Sequence, residues 1–139
     1  MSNDIIQSQY EEKYLKSATV VEAAGGSSCL YHSLSFNLKR IELNSNVYDA
    51  NNGFTLRHLV NDYIRDNFLK VVWTTPMFSE TFAEAIAGYG FSTSEYYTLM
   101  SKNSSWGGMI EICAVAEMFH VNIEVLVSNS DPSRRYKWM

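Results

Sequence analysis

Only two cysteines, Cys29 and Cys113, occur in 139 residues, and beside three histidines they show no paired ligand spacing. Zinc is therefore disfavoured, and no metal or other cofactor is expected. The opening segment, MSNDIIQSQYEEKYLK, lacks the apolar stretch of a secretory signal. Two free thiols in a reducing compartment are the expected state. The location that follows is intracellular and cytoplasmic, the cytoplasm of a host cell included. No run approaches the ~18 apolar residues of a membrane span, so no membrane partner is expected. Positive charge is scarce too. The net charge is −4, and the basic residues cluster only at Arg134 and Arg135. Nucleic acid, which needs a positive face, is an unfavoured partner.

What is present suits a folded chain: 46% hydrophobic and 19% charged residues, at a length that gives one domain and one core. Residues 1–17 read as a polar N-terminal extension with a short helix around Glu11–Lys16. Residues 18–128 read as the domain. Residues 129–139 read as a polar, frayed tail with a turn at Asp131-Pro132. Oligomeric state is not legible.

Within the domain, Cys29, Leu30, Ser33, Leu34, Phe36 and Leu38 share much of one helical face, with Ser27 or Ser28 as N-cap. Asn44–Gly53 is a loop by composition. Thr55 caps the most regular amphipathic segment, through Leu56, Leu59, Val60, Tyr63, Ile64 and Phe68. Ser79 opens a helix that ends near Gly88, and Ser94 opens another carrying Tyr97, Leu99 and Met100. After a turn at Trp106-Gly107-Gly108, the residues Met109, Ile112, Cys113, Ala116 and Phe119 form the inner face of a last helix. VNIEVLV, Val121–Val127, then alternates like a strand.

The chemistry centres on AAGGSSCLYHSLSF, residues 23–36. A thiolate is the reactive form of cysteine, and a helix N-terminus favours its negative charge. Small residues before the helix let backbone N–H groups converge on one point, as an oxyanion site requires. Gly25 and Gly26 permit unusual backbone angles. Taken alone, the segment equally suits a small buried cysteine in a first helical turn.

Three blocks in order decide between these. GGSSCLYHSLS resembles the nucleophile segment of ovarian-tumour (OTU) cysteine peptidases, Asp-Gly-x-Cys-Leu-[Phe/Tyr]-x-[Ala/Ser]. TLRHLVNDYI resembles the helix that follows in that family. YYTLMSKNSSWGGMIEICAVAEMFHVNIEVLV resembles its Trp-Gly-Gly-x-[Ile/Leu]-Glu helix and central strand. The resemblance implies an α/β (α+β), papain-like OTU fold, with a small central sheet packed between helices. It also implies hydrolysis of isopeptide bonds to ubiquitin or a ubiquitin-like protein, the expected partner. Cys29 takes the nucleophile position, and the backbone of Gly26, Ser27 and Ser28, with Cys29 itself, the oxyanion loop. Gly107 and Gly108 would allow a chain reversal, Trp106 would pack in the core, and Glu111 would serve as a structural hydrogen bonder.

Two departures stand out. Gly26 replaces the family's Asp. The family's catalytic His lies beyond the strand that VNIEVLV resembles, whereas no histidine follows His120 here. The expectation is an OTU domain short of the C-terminal segment that carries the base. Within these residues His32 and His120 are the candidate bases, while His58 reads as a surface residue. A non-catalytic ubiquitin-binding module on the same fold is the alternative.

Overall fold

The computed structural model describes residues 25–41, 53–74, 76–128 and 136–138. The extension at 1–17, the loop from Asn44 up to Gly53 and the Asp131-Pro132 turn lie outside the described residues. The elements run α1 (Cys29–Arg40), α2 (Gly53–Asp66), β1 (Val71–Thr74), β2 (Ser79–Thr81), α3 (Phe82–Gly88), α4 (Thr93–Met100), α5 (Met109–Phe119), β3 (Leu126–Ser128) and β4 (Tyr136–Trp138). The fold is α+β. One compact unit holds residues 23–121, and the β3–β4 hairpin belongs to the other.

α2 is the central helix of the larger unit, packing against α1, α4 and α5. Its buried stripe is Leu56, Arg57, Val60, Asn61 and Ile64. Tyr31, Leu34 and Leu38 come from α1, and Ile110, Ala114, Val115 and Phe119 from α5. Each fully buried aliphatic or Phe side chain contributes about 1.5–3 kcal/mol relative to exposure. Polar ties add register: Asn61 Nδ2 donates to the Tyr97 carbonyl at 3.0 Å, and Tyr97 Oη donates to Asp62 Oδ1 at 2.8 Å.

Several expected boundaries and faces move. In α1 the buried positions are Tyr31, Leu34, Ser35 and Leu38, and Phe36 is exposed. α2 starts at Gly53, so Thr55 sits inside its first turn. Ser79 lies in β2; Thr81 caps α3 and Ser92 caps α4, each through a capping box with Glu84 or Glu95. In α5 Ile112 and Phe119 are buried as expected, together with Ile110, Glu111, Ala114 and Val115, while Met109 is exposed and Cys113 and Ala116 are half-buried. The apolar residues there are nearly continuous, so spacing alone did not fix which of them face inward.

The sheet differs most. β1 and β2 form an antiparallel pair, with Trp73 opposite Glu80 and an irregularity between Val71 and Trp73. Trp73 Nε1 donates to Glu80 Oε1 across the pair at 2.8 Å. This small sheet packs against α3 and α5. Of the expected strand Val121–Val127, only its last two residues are strand, within β3 (Leu126–Ser128), which pairs antiparallel with Tyr136–Trp138. Residues 121–125 keep the alternation of half-buried and exposed positions without a ladder. The expected frayed tail thus contains β4.

Candidate active site

Cys29 is the first residue of α1 and is half-buried. The loop before it turns at Gly26, whose φ of +97° lies in the region that glycine tolerates best. The Gly26 carbonyl accepts the Cys29 amide hydrogen at 3.1 Å, and the Ser28 carbonyl accepts from His32 N at 3.0 Å. Gly26, Ser27, Ser28 and Cys29 therefore form one tight turn that runs into the helix. In this turn the Cys29 N–H faces the Gly26 carbonyl rather than open space.

Ser28 stands at the N-cap, but its hydroxyl caps nothing. It donates to the Asn103 carbonyl at 3.2 Å and accepts from Arg57 Nη2 at 3.1 Å. Ser27 Oγ also donates to the Asn103 carbonyl, at 2.6 Å. A buried cationic donor competes successfully with the orphan amides of the helix end.

Arg57 belongs to the TLRHLVNDYI block, and the resemblance assigns it no role. It is fully buried. Its guanidinium lies 4.4 Å from the Tyr31 ring centroid and donates to the Met100 carbonyl at 3.2 Å and the Ser27 carbonyl at 3.3 Å. The Asn103 and Ser105 carbonyls accept from it as well. The available clue was its place in the i, i+3, i+4 series Gly53, Leu56, Arg57, Val60, Asn61, Ile64, one face over from the purely apolar one.

On the opposite side, Trp106-Gly107-Gly108 approaches the start of α1. Neither glycine has a positive φ. Chain reversal is therefore not what Gly107 supplies. A Cβ there would stand 2.8 Å from Leu30 Cδ2 and 3.2 Å from the Tyr31 ring, so the residue is small because α1 presses against it. Trp106, expected in the core, is 66% exposed. It sits at a groove of about 260 Å³ with Tyr89, Phe91, Leu99 and Met109.

Glu111 is buried and makes structural bonds. Its Oε1 accepts the Gly108 amide at 2.7 Å, and Oε2 accepts the Tyr96 hydroxyl. Burial pushes its carboxyl above the ordinary range, against the opposing pull of those donors and of Arg57. Burial, and next the Glu111 charge, also raise the Tyr31 and Tyr96 hydroxyls.

Three histidines fall among the described residues. His32 lies one turn along α1, where its Nδ1 accepts the Gly53 amide hydrogen at 3.0 Å. Its ring meets Phe54 edge-on at 4.8 Å. A neutral imidazole accepting at Nδ1 carries its proton on Nε2, leaving no free lone pair. His58 is exposed on α2. His120 is exposed at the C-cap of α5 with φ 53°, its own amide donating to Ala116. Left-handed backbone, rather than side-chain charge, is how it closes the helix. Among the described residues no three His, Cys, Asp or Glu side chains gather as a metal site.

Comparison with known proteins adds two findings. Residues 23–138 match the family model described as OTU-like cysteine protease. Over 119 residues the chain is 26% identical to a protein of Invertebrate iridescent virus 3 named "Putative ubiquitin thioesterase 232R". That alignment covers 83% of the chain and 13% of the viral protein, so the chain spans a small part of its relative's length. No solved structure matches the chain.

Proposed function

Because the chain belongs to the family of OTU-like cysteine proteases, we propose that it is a deubiquitinase-type thiol hydrolase with Cys29 as its nucleophile. The observation that carries this is the placement of Cys29, half-buried at the first position of α1, directly after the Gly26 turn. The substrate is a conjugate of ubiquitin or a ubiquitin-like protein. The Cys29 thiolate attacks the carbonyl carbon of the C-terminal isopeptide bond, and the electrons of the C=O move onto oxygen. Collapse of that intermediate expels the lysine amine, which takes up a proton, and leaves a thioester that water hydrolyses.

Stabilising the developing oxyanion needs donors from the loop. For the Cys29 amide to be one of them, the Gly26 carbonyl must first turn away from it, a change glycine permits. The proton acceptor is the weaker half of the machinery. His32 already spends its Nδ1 lone pair on Gly53. Where no base serves the thiol, capture and turnover both forgo a factor of about 10²–10⁴ from proton transfer. Covalent capture by these residues alone is therefore expected to be slow, as is turnover.

Incubation with ubiquitin bearing a C-terminal electrophile tests this. Wild type is expected to form a covalent adduct at Cys29 and Cys29→Ala none; equal behaviour of the two overturns the enzymatic reading. The second reading, a non-catalytic ubiquitin-binding module, is favoured by the bond that occupies the Cys29 amide. It requires ubiquitin association that survives Cys29→Ala, with no adduct in wild type.

A further inference from the structure

We propose that Arg57 is a positioning residue for the nucleophile: it fixes the loop before Cys29 against the segment 100–105, and thereby the direction in which the thiol and its neighbouring amides face. The inference rests on Cys29 being the nucleophile and names the group that holds it in place.

Three observations carry it. First, the cation is fully buried in the stripe of α2 that packs on the core. A buried charge persists only where oriented dipoles replace water, and here the replacement comes from two segments far apart in sequence. Ser27 and Ser28 supply a carbonyl and a hydroxyl from the nucleophile loop. Met100, Asn103 and Ser105 supply carbonyls from the segment leading to Trp106.

Second, Nη2 has two hydrogens and faces four oxygens, those of Ser27, Ser28, Asn103 and Ser105. The contacts are shared, so moving any one oxygen shifts the rest. The Ser27 and Ser28 hydroxyls close the ring by both donating to Asn103. The loop and the segment therefore move as one unit.

Third, the guanidinium carbon lies 4.4 Å from the ring centroid of Tyr31, two residues after Cys29. The same Tyr31 ring lies close to Gly107, where an added Cβ would stand 3.2 Å from it. The start of α1 thus meets both the cation and the Gly107 backbone that follows segment 100–105. Lysine would supply the charge without the planar fork, and could not bridge both segments in one plane.

The experiment uses the whole chain with Arg57→Lys and reads both thiols at once. Cys113 on α5 is half-buried, and burial raises its thiol, so its reaction with iodoacetamide reports general loosening of the core. Mass spectrometry follows alkylation at Cys29 and Cys113 from the same sample. In Arg57→Lys the ratio of Cys29 to Cys113 alkylation is expected to rise about threefold or more, as the loop opens locally. Capture by the ubiquitin electrophile is expected to fall about tenfold or more in its limiting rate, with half-saturation little changed. An unchanged alkylation ratio, whether both thiols speed up together or neither does, overturns the proposal.

Should Arg57→Lys fail to fold, Ser28→Ala decides, because it removes one hydroxyl from the cluster and keeps the cation. The same rise in the thiol ratio supports positioning, and an unchanged ratio overturns it. Absence of ubiquitin capture by wild type would overturn the deubiquitinase reading instead. The alkylation ratio would then still settle whether Arg57 orders the loop.

Discussion

The Tyr96 hydroxyl donates to the Glu111 carboxyl inside the core, joining α4 to the first turn of α5. The other Glu111 oxygen accepts from Gly108 N at 2.7 Å, so one side chain fixes both the helix start and its neighbour. Replacement by alanine leaves a buried hydroxyl and an amide without their acceptor. Glu111→Ala is expected to lose about 3 kcal/mol of stability in urea unfolding. Glu111→Gln, which keeps an acceptor and the shape, is expected to lose much less.

The same carboxyl gives a pH signature. Burial raises its folded-state value above the ordinary 4.5. Between the unfolded and folded values the native protein holds a proton that the unfolded chain has released. Stability from this group therefore falls as pH rises through that window and is flat above it. Thermal melts of wild type and Glu111→Gln from pH 4 upward should show the glutamine variant gaining on wild type as pH rises. A difference independent of pH would contradict the raised value.

Gly107 sets the distance between the Trp106–Gly108 segment and α1. An added Cβ meets Leu30 Cδ2 at 2.8 Å and the buried Tyr31 ring at 3.2 Å. Leu30 is half-buried and can swing aside, whereas Tyr31 cannot. Gly107→Ala is expected to cost about 1–3 kcal/mol by overpacking. Because the displaced element carries Cys29, capture by the ubiquitin electrophile should slow as well. A stable variant with wild-type capture would show that α1 absorbs the methyl group without moving the thiol.

Much of this architecture was legible because local signals agreed with the packing. The Cys29 helix, the Leu56–Ile64 face and the helix after Gly108 all lie where periodicity put them, within a few residues. The starts of α3 and α4 were misplaced although T-x-x-E at Thr81–Glu84 and S-x-x-E at Ser92–Glu95 spell capping boxes. Those reciprocal bonds outrank a nearer serine that lacks the glutamate three residues on. β1 was missed because Val71–Thr74 is four residues long, too short for alternation to separate it from a loop. The helical series places Arg57 on the buried side of α2, but nothing local names its partners. Its acceptors are carbonyls brought in by tertiary structure.

The capping box of α4 gives a direct check on that account. Ser92 Oγ accepts from Glu95 N at 3.1 Å, and Ser92 N donates to Glu95 Oε1 at 3.1 Å. The backbone bond from Ser92 holds the Glu95 carboxyl below its ordinary range. Ser92→Ala should lower stability by about 1 kcal/mol, and Ser94→Ala, at the start expected from composition, should change it little. Denaturant midpoints of the two variants compare these positions.

His32 separates a structural from a catalytic histidine near Cys29. Its Nδ1 accepts the Gly53 amide at 3.0 Å, and its ring packs on Phe54, so it couples α1 to the first turn of α2. Alanine removes that acceptor and the ring contact together. His32→Ala is expected to lose about 2 kcal/mol of stability and to keep wild-type capture of the ubiquitin electrophile per folded molecule. A general base would give the opposite pattern: capture reduced by about 10²–10⁴ with little change in stability. His32→Asn, whose side-chain oxygen can still receive the Gly53 amide, should recover part of the lost stability. Recovery of stability by asparagine with a large loss of capture would instead assign the proton transfer to His32.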